Sequence, residues 1–369
     1  MTNFTERTPA IQHPLAGSSF INLLNLLFKN QLTEPLYVQK AFKIALLSLS
    51  NLPLCIIERL VFGNRIDKTE IAKPPIFIIG HWRSGTTYLH RLMIQDCNFG
   101  YVSSLQAYLP QSFLLISRFG KDKLYKVWPK AREMDNMNYS PDVPEEEEHA
   151  LSNILSLAFY HCIHFPQNMQ HLFEQSVLMK SITQKDLAVW QKVYIQILKK
   201  ATLVSDNKQL ILKNPANTGR IKQILEIFPN AKFVYIYRNP YDVFASMQNF
   251  YNKVLPKCSL QKIDRQKVTE NIFNFYRQLI QKYYIDKDNI PAKNLIEIKY
   301  EDFEKNELSN MKKVYEKFNL SDFEVASDNM QKYINLQANY KKNNYVLNEQ
   351  IKCKIAHRWD FAIEQWQSS

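Results

Sequence analysis

The sequence has few of the residues that mark flexible, disulfide-bonded or metal-binding proteins. Only seven of its 369 residues are glycine, which leaves little room for long flexible linkers. Five cysteines lie far apart, and no pair of them has the CxxC spacing of zinc sites and dithiol redox centres. An odd, scattered set of cysteines is typical of a reducing compartment. These absences favour a well-packed globular protein with one large domain or two smaller ones.

Signals for export and for membrane spanning are also lacking. The N-terminus has neither the basic start nor the apolar core of a signal peptide. The most apolar stretch, residues 44–57, lies between Lys43 and Glu58 and contains Pro53. Its fourteen residues are fewer than the roughly 20 that a membrane-spanning helix needs. We therefore expect a soluble cytoplasmic protein. Contact of the N-terminal apolar helices with a membrane surface stays open as an alternative to core packing.

Acidic residues are fewer than basic ones. The 35 Asp and Glu residues stand against 47 Lys and Arg residues, which gives a formal net charge of +12. A basic surface suits polyanions such as anionic membranes and phosphorylated cofactors, although a solvated lysine-rich surface explains the same excess. The basic residues form no clustered arm and no recognised nucleic-acid-binding module, so we expect no nucleic-acid partner. The sequence makes no prediction of the oligomeric state.

Four short apolar runs predict the strands of a sheet. They lie at residues 76–79, 210–212, 233–237 and 295–298, and each precedes a turn and a helical pattern. Continuous apolar runs of this length are typical of parallel strands that are buried on both faces. Strands that alternate with helices predict an α/β fold, with a central, mostly parallel sheet between helical layers.

The remaining sequence has helical character. We predict an N-terminal helical segment over residues 1–72, in which the helix closes at Gly63 and Asn64. A single α/β domain is predicted over residues 73–369. It contains a helical insert at about residues 100–205, without an evident strand, that we expect to bind the substrate.

A glycine-containing loop follows the first predicted strand. GHWRSGTT, at residues 80–87, has the outline of a phosphate-binding loop, GxxxxG and two hydroxyl residues between a strand and a helix. In such a loop the backbone N–H groups and the helix N-terminus surround an anion. Nucleotide triphosphatases have Lys after the second glycine, where this chain has Thr86. The strong cation is instead Arg83, which suits a single phosphosulfate better than a triphosphate–magnesium complex. The loop predicts a P-loop-like three-layer sandwich.

A second phosphate signature lies further along the chain. Arg238 follows the third predicted strand, and Pro240 suits the first turn of the helix after it. Ser246 lies eight residues after Arg238, two turns into that helix. Paired with the arginine, this serine predicts a phosphate clamp.

These motifs resemble those of the PAPS-dependent sulfotransferases, where PAPS is 3′-phosphoadenosine 5′-phosphosulfate. PPIFIIGHWRSGTTYLHRLM looks like the family's 5′-phosphosulfate loop, and KFVYIYRNPYDVFASMQNFY looks like its 3′-phosphate segment. In the bacterial-type branch the resemblance extends to about Phe303, through an LK-x-P element and a Y-E-D segment. Many members of that branch have His where this chain has Asn217. Because this chain departs from the family pattern here, we do not assign a catalytic role to Asn217.

The resemblance implies PAPS as co-substrate and a hydroxyl acceptor. Lys213 lies directly after a predicted strand, where it would add positive charge beside the phosphate loop. The alternative is an ordinary surface lysine. A late basic segment closes over the 3′ phosphate in the family, although the motif here differs from the cytosolic form. The cofactor-binding residues predicted are Arg83, Ser84, Gly85, Thr86, Thr87, Lys213, Arg238, Ser246, Lys341 and Lys342.

In-line sulfuryl transfer needs a cation at the leaving oxygen and a base on the acceptor hydroxyl. We predict Arg83 as the catalytic cation. PEEEEHAL resembles a P-x-E-[DE]-[DE] element of related enzymes, and like charges that crowd a carboxylate raise its pKa. Glu146 or Glu147 is the predicted base, with His149 as the rival. Simple capping of a helix start by the glutamates is the alternative.

Two other functions compete with sulfuryl transfer. A P-loop kinase needs the lysine that is missing at Thr86. A non-enzymatic nucleotide- or membrane-binding protein leaves the spacing of Arg238 and Ser246 unexplained. We predict no metal, because no triphosphate has to be neutralised, and we interpret His161 and His164 as core residues. The acceptor is predicted to be a hydrophobic small molecule or a lipid, and a peptidyl tyrosine stays open.

Overall fold

The computed structural model describes residues 13–32, 34–129, 139–337 and 345–368. Lys341 and Lys342, predicted for the cofactor site, lie outside the described residues. Internal contacts divide the chain into two compact units. The first unit comprises residues 1–70, 102–204 and 250–268, and the second comprises residues 71–101, 205–249 and 269–369. Several of these limits fall close to the predicted boundaries at residue 72 and near residues 100 and 205, and the division into domains stays a prediction.

The second unit contains a five-stranded parallel sheet in the order β2-β3-β1-β4-β5. The strands are β1 (Ile76–Ile79), β2 (Phe99–Gly100), β3 (Gln209–Lys213), β4 (Lys232–Tyr237) and β5 (Leu295–Lys299). Ile78 of β1 lies opposite Lys213 of β3 and Val234 of β4. The predicted α/β class with a mostly parallel sheet is confirmed. The expectation of no strand in the insert region was wrong at β2, because two residues are too short to show periodicity.

Helices cover this sheet. Those with all or most of their residues in the second unit are α3 (Thr86–Met93), α11 (Ile221–Ile227), α12 (Pro240–Cys258), α13 (Arg265–Asp286), α14 (Tyr300–Lys305), α15 (Glu307–Phe318), α16 (Phe323–Gln337), α17 (Glu349–Arg358) and α18 (Asp360–Ser368). Ile76 and Ile78 pack with Leu89 of α3 in one cluster. Phe77, between them, stacks on Phe233 with ring centroids 5.5 Å apart. Alternate β1 side chains are therefore buried on opposite faces of the sheet.

The first unit is helical. Its helices are α1 (Phe20–Asn30), α2 (Pro35–Lys68), α4 (Ser104–Tyr108), α5 (Phe113–Phe119), α6 (Lys121–Val127), α7 (Glu147–Ile154), α8 (His161–His164), α9 (Met169–Ser176) and α10 (Gln184–Val204). Short 3-10 helices lie at Pro14–Gly17 and Pro166–Asn168 in this unit, and at Pro215–Gly219, Lys287–Asn289 and Ala292–Asn294 in the second.

Helix α2 is longer than the sequence predicts. The helix is 34 residues long and continues through Pro53 and past Gly63 to Lys68. The predicted closure at Gly63 and Asn64 was therefore wrong. A glycine inside a helix costs only about 1 kcal/mol, and burial of Ile66 in a cluster with Leu105 opposes that cost. By length and composition alone, α2 is long and apolar enough to cross a membrane. The sequence had indicated an apolar stretch of only fourteen residues, too short to do so.

Candidate active site

The phosphate loop is the segment that joins β1 to α3, and its backbone is left-handed at three residues. The φ angles are 143° at Gly80, 70° at Arg83 and 95° at Gly85. A Cβ on Gly80 would lie 2.2 Å from the carbonyl oxygen of Ile236, and a Cβ on Gly85 would lie 2.2 Å from Cδ2 of Tyr300. The two glycines are therefore required by packing against β4 and against the Tyr300 ring. Arg83 holds a conformation that non-glycine residues seldom adopt, which is common at ligand sites.

Thr218 fixes the start of the phosphate loop. The Gly80 N–H donates to Thr218 Oγ1 at 2.8 Å, and the Thr218 hydroxyl is within 2.9 Å of the Gly80 carbonyl oxygen, to which it donates. Thr218 is completely buried in the 3-10 helix Pro215–Gly219, which follows β3. Sequence reasoning missed this residue, because no local pattern distinguishes it from an ordinary turn threonine.

Arg83 and Ser246 contact each other. Arg83 Nε donates to Ser246 Oγ at 2.9 Å, and Ser246 is buried on α12. The sequence motifs assign these two residues to different phosphates of one nucleotide. The structure brings both motifs together within the second unit.

Arg238 lies between β4 and α12, as predicted, and its guanidinium is held on two sides. Its Cζ is 4.7 Å from the centroid of the Tyr300 ring, and its Nη2 donates to Asp242 Oδ2 at 3.1 Å. The same Tyr300 ring packs against Gly85 of the phosphate loop. Nε of Arg238 is buried and has no acceptor in the part of the chain that the structure describes. The guanidinium therefore retains donor capacity for an anion.

Glu301, next to Tyr300, holds the segment after Arg238. Its Oε1 accepts from the Asn239 N–H at 2.9 Å, and its Oε2 accepts from Trp366 Nε1 at 3.1 Å. The carboxylate thus ties the start of α12 to α18.

Two basic side chains are buried at the end of β3 and in the segment that follows it. Lys213, the last residue of this strand, is 1% exposed, so the surface-lysine alternative was wrong. Arg220 is completely buried, and its Nη1 donates to Asn217 Oδ1 at 3.3 Å. Both side chains have further partners within the chain, as buried charges generally do. Sequence reasoning missed Arg220, since an arginine after a glycine usually indicates a solvent-exposed turn.

The hydroxyl residues of the phosphate loop lie at the start of α3. Ser84 and Thr86 are buried, and Thr87 is half-buried. A helix N-terminus favours anions through its free N–H groups and its dipole. His81 packs in the core instead, 4.9 Å from the Tyr276 ring, and burial lowers its pKa to about 4. This histidine is therefore neutral at physiological pH.

The four consecutive glutamates of the first unit are all buried. Glu145 to Glu148 are each less than 8% exposed. Helix α7 begins at Glu147, and Glu146 stands at its N-cap position without a side-chain capping hydrogen bond. The helix ends at Ile154. Simple capping does not account for this burial.

Each of these carboxylates after Glu145 accepts a hydrogen bond from outside its own turn. Tyr160 OH donates to Glu146, the Phe159 N–H donates to Glu148 at 2.7 Å, and Tyr194 OH donates to Glu147 Oε1 at 2.8 Å. Burial raises the pKa of Glu147 to about 7, and the negative charges of Glu148 and Glu146 act in the same direction. A carboxyl with this pKa can exchange a proton near neutral pH.

His149 is half-buried in the same unit. Its ring lies 4.4 Å from that of Tyr160 and 4.9 Å from that of Tyr108. His161 and His164, in contrast, are buried, and each ring hydrogen-bonds a backbone carbonyl. Across the described ranges, no group of three or more His, Cys, Asp or Glu side chains is arranged to hold a metal ion.

The structure thus groups the predicted residues by unit. The second unit contains the cofactor candidates Arg83, Ser84, Gly85, Thr86, Thr87, Lys213, Arg238 and Ser246. The first unit contains the base candidates Glu146, Glu147 and His149.

The parallel sheet and the loop between β1 and α3 define a P-loop-like α/β protein. A sulfotransferase family model matches residues 74–324. The omega-hydroxy-beta-dihydromenaquinone-9 sulfotransferase Stf3 of Mycobacterium bovis is 30% identical over 320 residues, which are 87% of this chain and 82% of that protein. The protein of the same name from Mycobacterium tuberculosis matches to the same extent. The chain belongs to the sulfotransferase family, and it is a sulfotransferase.

Solved structures share the fold. Sulfotransferase STF1 from Mycobacterium tuberculosis superposes with a TM-score of 0.63 at 18% identity, covering 91% of this chain and 89% of that one. Sulfotransferase STF9 from Mycobacterium avium gives a TM-score of 0.64 at 16% identity, with 92% and 89% covered. The P-loop-like fold predicted from the sequence is confirmed.

Proposed function

We propose that the protein transfers the sulfuryl group of PAPS to the hydroxyl of a hydrophobic acceptor, and that this acceptor is a lipid. The observation that carries the donor part of the proposal is the contact between Arg83 and Ser246. It joins the two motifs that the family uses for the two ends of the same nucleotide.

The residues of the second unit fit this donor chemically. Arg83, Lys213 and Arg238 supply positive charge, and Ser84, Thr86, Thr87 and Ser246 supply hydroxyl groups. We propose that Arg83 and the phosphate loop bind the 5′ phosphosulfate, and that Arg238 with Ser246 binds the 3′ phosphate. The buried, unused Nε of Arg238 supports an anion beside it. Charge-assisted hydrogen bonds from arginine to phosphate are among the strong ones in proteins.

The transfer step requires a cation at the leaving oxygen and a base for the acceptor hydroxyl. As the bond from sulfur to the bridging phosphate oxygen breaks and the bond to the acceptor oxygen forms, Arg83 stabilises the negative charge left on that phosphate oxygen. A base accepts the proton of the acceptor hydroxyl. Among Glu146, Glu147 and His149 we favour Glu147, because its pKa of about 7 suits proton transfer at neutral pH. No metal has a role in this scheme.

A lipid acceptor is supported by the relatives. The curated sulfotransferases at 30% identity are named for omega-hydroxy-beta-dihydromenaquinone-9, a hydroxylated isoprenoid quinone derivative. The first unit, which we propose binds the acceptor, is rich in buried aromatic and aliphatic side chains such as Trp190, Phe159 and Phe173. We therefore propose a long-chain hydroxylated lipid rather than a polysaccharide or a peptide.

Transfer of label from sulfur-35 PAPS tests the proposal. Purified protein is incubated with isoprenoid quinones that carry a hydroxyl on the side chain and with the same quinones lacking that hydroxyl, in buffer containing EDTA. We expect labelled product only from the hydroxylated lipids, and a loss of about 100-fold or more in Arg83→Ala. Arg277→Ala, which alters an exposed arginine of α13, is the matched control. No transfer from PAPS to any of the hydroxylated lipids would contradict the proposal.

A further inference from the structure

Helix α2 has an apolar exposed face along most of its length. Between Leu36 and Val61 its exposed side chains are mainly Leu, Ile, Val and Phe, with Phe42 64% and Leu60 79% exposed. Helix α1, which packs against α2, adds Ile21 at 72% and Phe28 at 86%. Soluble proteins rarely expose so large a contiguous apolar surface, and those that do use it for binding.

The opposite face of α2 is fixed to the first unit by polar contacts. Ser48 Oγ donates to the Ser18 carbonyl oxygen at 2.7 Å. The buried Glu58 accepts from the Leu114 N–H at 2.6 Å and pairs with Lys200. Ala41 and Ile44 pack with α1 in a buried cluster. These contacts are distributed along the helix, so only one side of α2 is available to a partner.

Charge indicates which partner fits the exposed face. From Leu36 to Val61 the exposed charged side chains are Lys43 and Arg59, and Arg59 is paired with Asp67 of the same helix at 2.8 Å. Lys43 therefore supplies the net positive charge of the face. The carboxylate in this stretch, Glu58, is buried and paired, so it contributes no negative charge to the face. A second copy of the same face offers no negative charge to Lys43, whereas an anionic lipid surface complements both the apolar side chains and this lysine.

The buried side of α2 distinguishes lying on a bilayer from crossing one. The 26 residues from Leu36 to Val61 extend about 38 Å along the helix axis, so length alone permits either arrangement. A single helix that crosses a bilayer without partner helices meets lipid on all sides, whereas α2 carries buried polar groups at Ser48 and Glu58 on one side. We propose that the exposed faces of α1 and α2 insert into the surface of an anionic lipid bilayer, parallel to the membrane plane. This docking goes beyond the proposed function and does not depend on it.

Flotation of the full-length protein with lipid vesicles tests the docking. We expect the protein to float with phosphatidylcholine vesicles that contain phosphatidylglycerol, and to float less with phosphatidylcholine alone. The double variant Phe42→Gln, Leu60→Gln is expected to lose at least tenfold in partition coefficient, since each substitution removes an inserted apolar side chain. Leu336→Gln, at an exposed leucine of α16, is the matched control and is expected to bind as wild type. Lys43→Gln is expected to reduce the preference for anionic vesicles.

Four results would overturn the docking proposal. The first is no flotation with either vesicle, and the second is flotation unchanged in the double variant while circular dichroism shows both proteins folded. The third is a dimer in analytical ultracentrifugation that the double variant dissociates, which would assign the face to a second copy of the chain. Resistance to alkaline carbonate extraction would show a spanning helix and likewise contradict in-plane insertion. No nucleotide is present in these measurements, so their outcome is independent of the sulfuryl-transfer assay.

Discussion

Arg83 Nε lies 2.9 Å from Ser246 Oγ, although 163 positions separate the two residues in the sequence. The contact connects the phosphate loop to α12, and each residue belongs to a different phosphate motif. Because Arg83 has a left-handed backbone, its side chain reaches α12 from a position that an ordinary loop residue would not occupy. The two motifs therefore position each other.

We predict energetic coupling between Arg83 and Ser246 in nucleotide binding. Ser246→Ala should weaken binding of adenosine 3′,5′-bisphosphate by about tenfold, because one hydrogen bond to a charged group is lost. In an Arg83→Ala background the same substitution should cost several-fold less. Isothermal titration calorimetry on the four proteins measures the coupling, and strictly additive effects would contradict it.

Gly85→Ala should destabilise the protein. The added Cβ would lie 2.2 Å from the Tyr300 ring, at a φ of 95° that alanine adopts only with strain. We expect a loss of about 2 kcal/mol or more in the free energy of unfolding, measured in urea. Gly120→Ala is the matched control, because its Cβ would meet its nearest neighbour at an ordinary 3.5 Å. Equal stability of the two variants would contradict the packing argument.

Glu147 predicts a dependence of stability on pH. Burial raises its native pKa to about 7 from 4.5, so the folded state binds more protons than the unfolded state in that window. Stability should therefore fall as the pH rises from 4.5 to 7, by about 3 kcal/mol in total from this residue. Glu147→Gln keeps an acceptor for Tyr194 and should remove this dependence in urea unfolding at several pH values. An unchanged pH profile would show that Glu147 titrates normally.

The buried histidines predict the opposite dependence at acidic pH. Burial lowers the pKa of His161 to about 4, whereas an unfolded histidine titrates near 6.5. The unfolded state binds more protons between these values, so stability should fall as the pH drops below 6.5. Urea unfolding of His161→Gln should show a shallower loss of stability between pH 6.5 and 4. His171→Gln, at an exposed histidine of α9, should leave the profile unchanged, and equal profiles of the two variants would contradict this account.

Local sequence patterns predicted the sheet and the phosphate motifs. The four apolar runs correspond to β1, β3, β4 and β5, because a buried parallel strand must be apolar along its length. The phosphate motifs could also be predicted, because each is a local pattern. One is the glycines and hydroxyl residues of the loop, and the other is the spacing of Arg238 and Ser246. Strand β2 was missed, since only two of its residues pair with β3 and so short a strand has no sequence pattern.

Tertiary burial was not readable from the sequence. Lys213, Arg220 and four successive glutamates have the composition of a solvent-exposed surface, yet each is buried. The partners that make this burial tolerable, such as Tyr194 for Glu147, lie 47 positions away in that case. The role of Glu301 depends in the same way on Trp366, which lies 65 positions further on.

The central claim is that Arg238 and Ser246 bind the 3′ phosphate of PAPS. Calorimetric binding of adenosine 3′,5′-bisphosphate, with AMP and ATP–magnesium as comparisons, tests it most directly on wild type, Arg238→Ala and the control Arg277→Ala. The account predicts that wild type and the control prefer the bisphosphate. It also predicts that Arg238→Ala loses about tenfold to a hundredfold in affinity for the bisphosphate while its binding of AMP changes little. Equal binding of AMP and the bisphosphate by wild type, or a preference for ATP–magnesium, would contradict it.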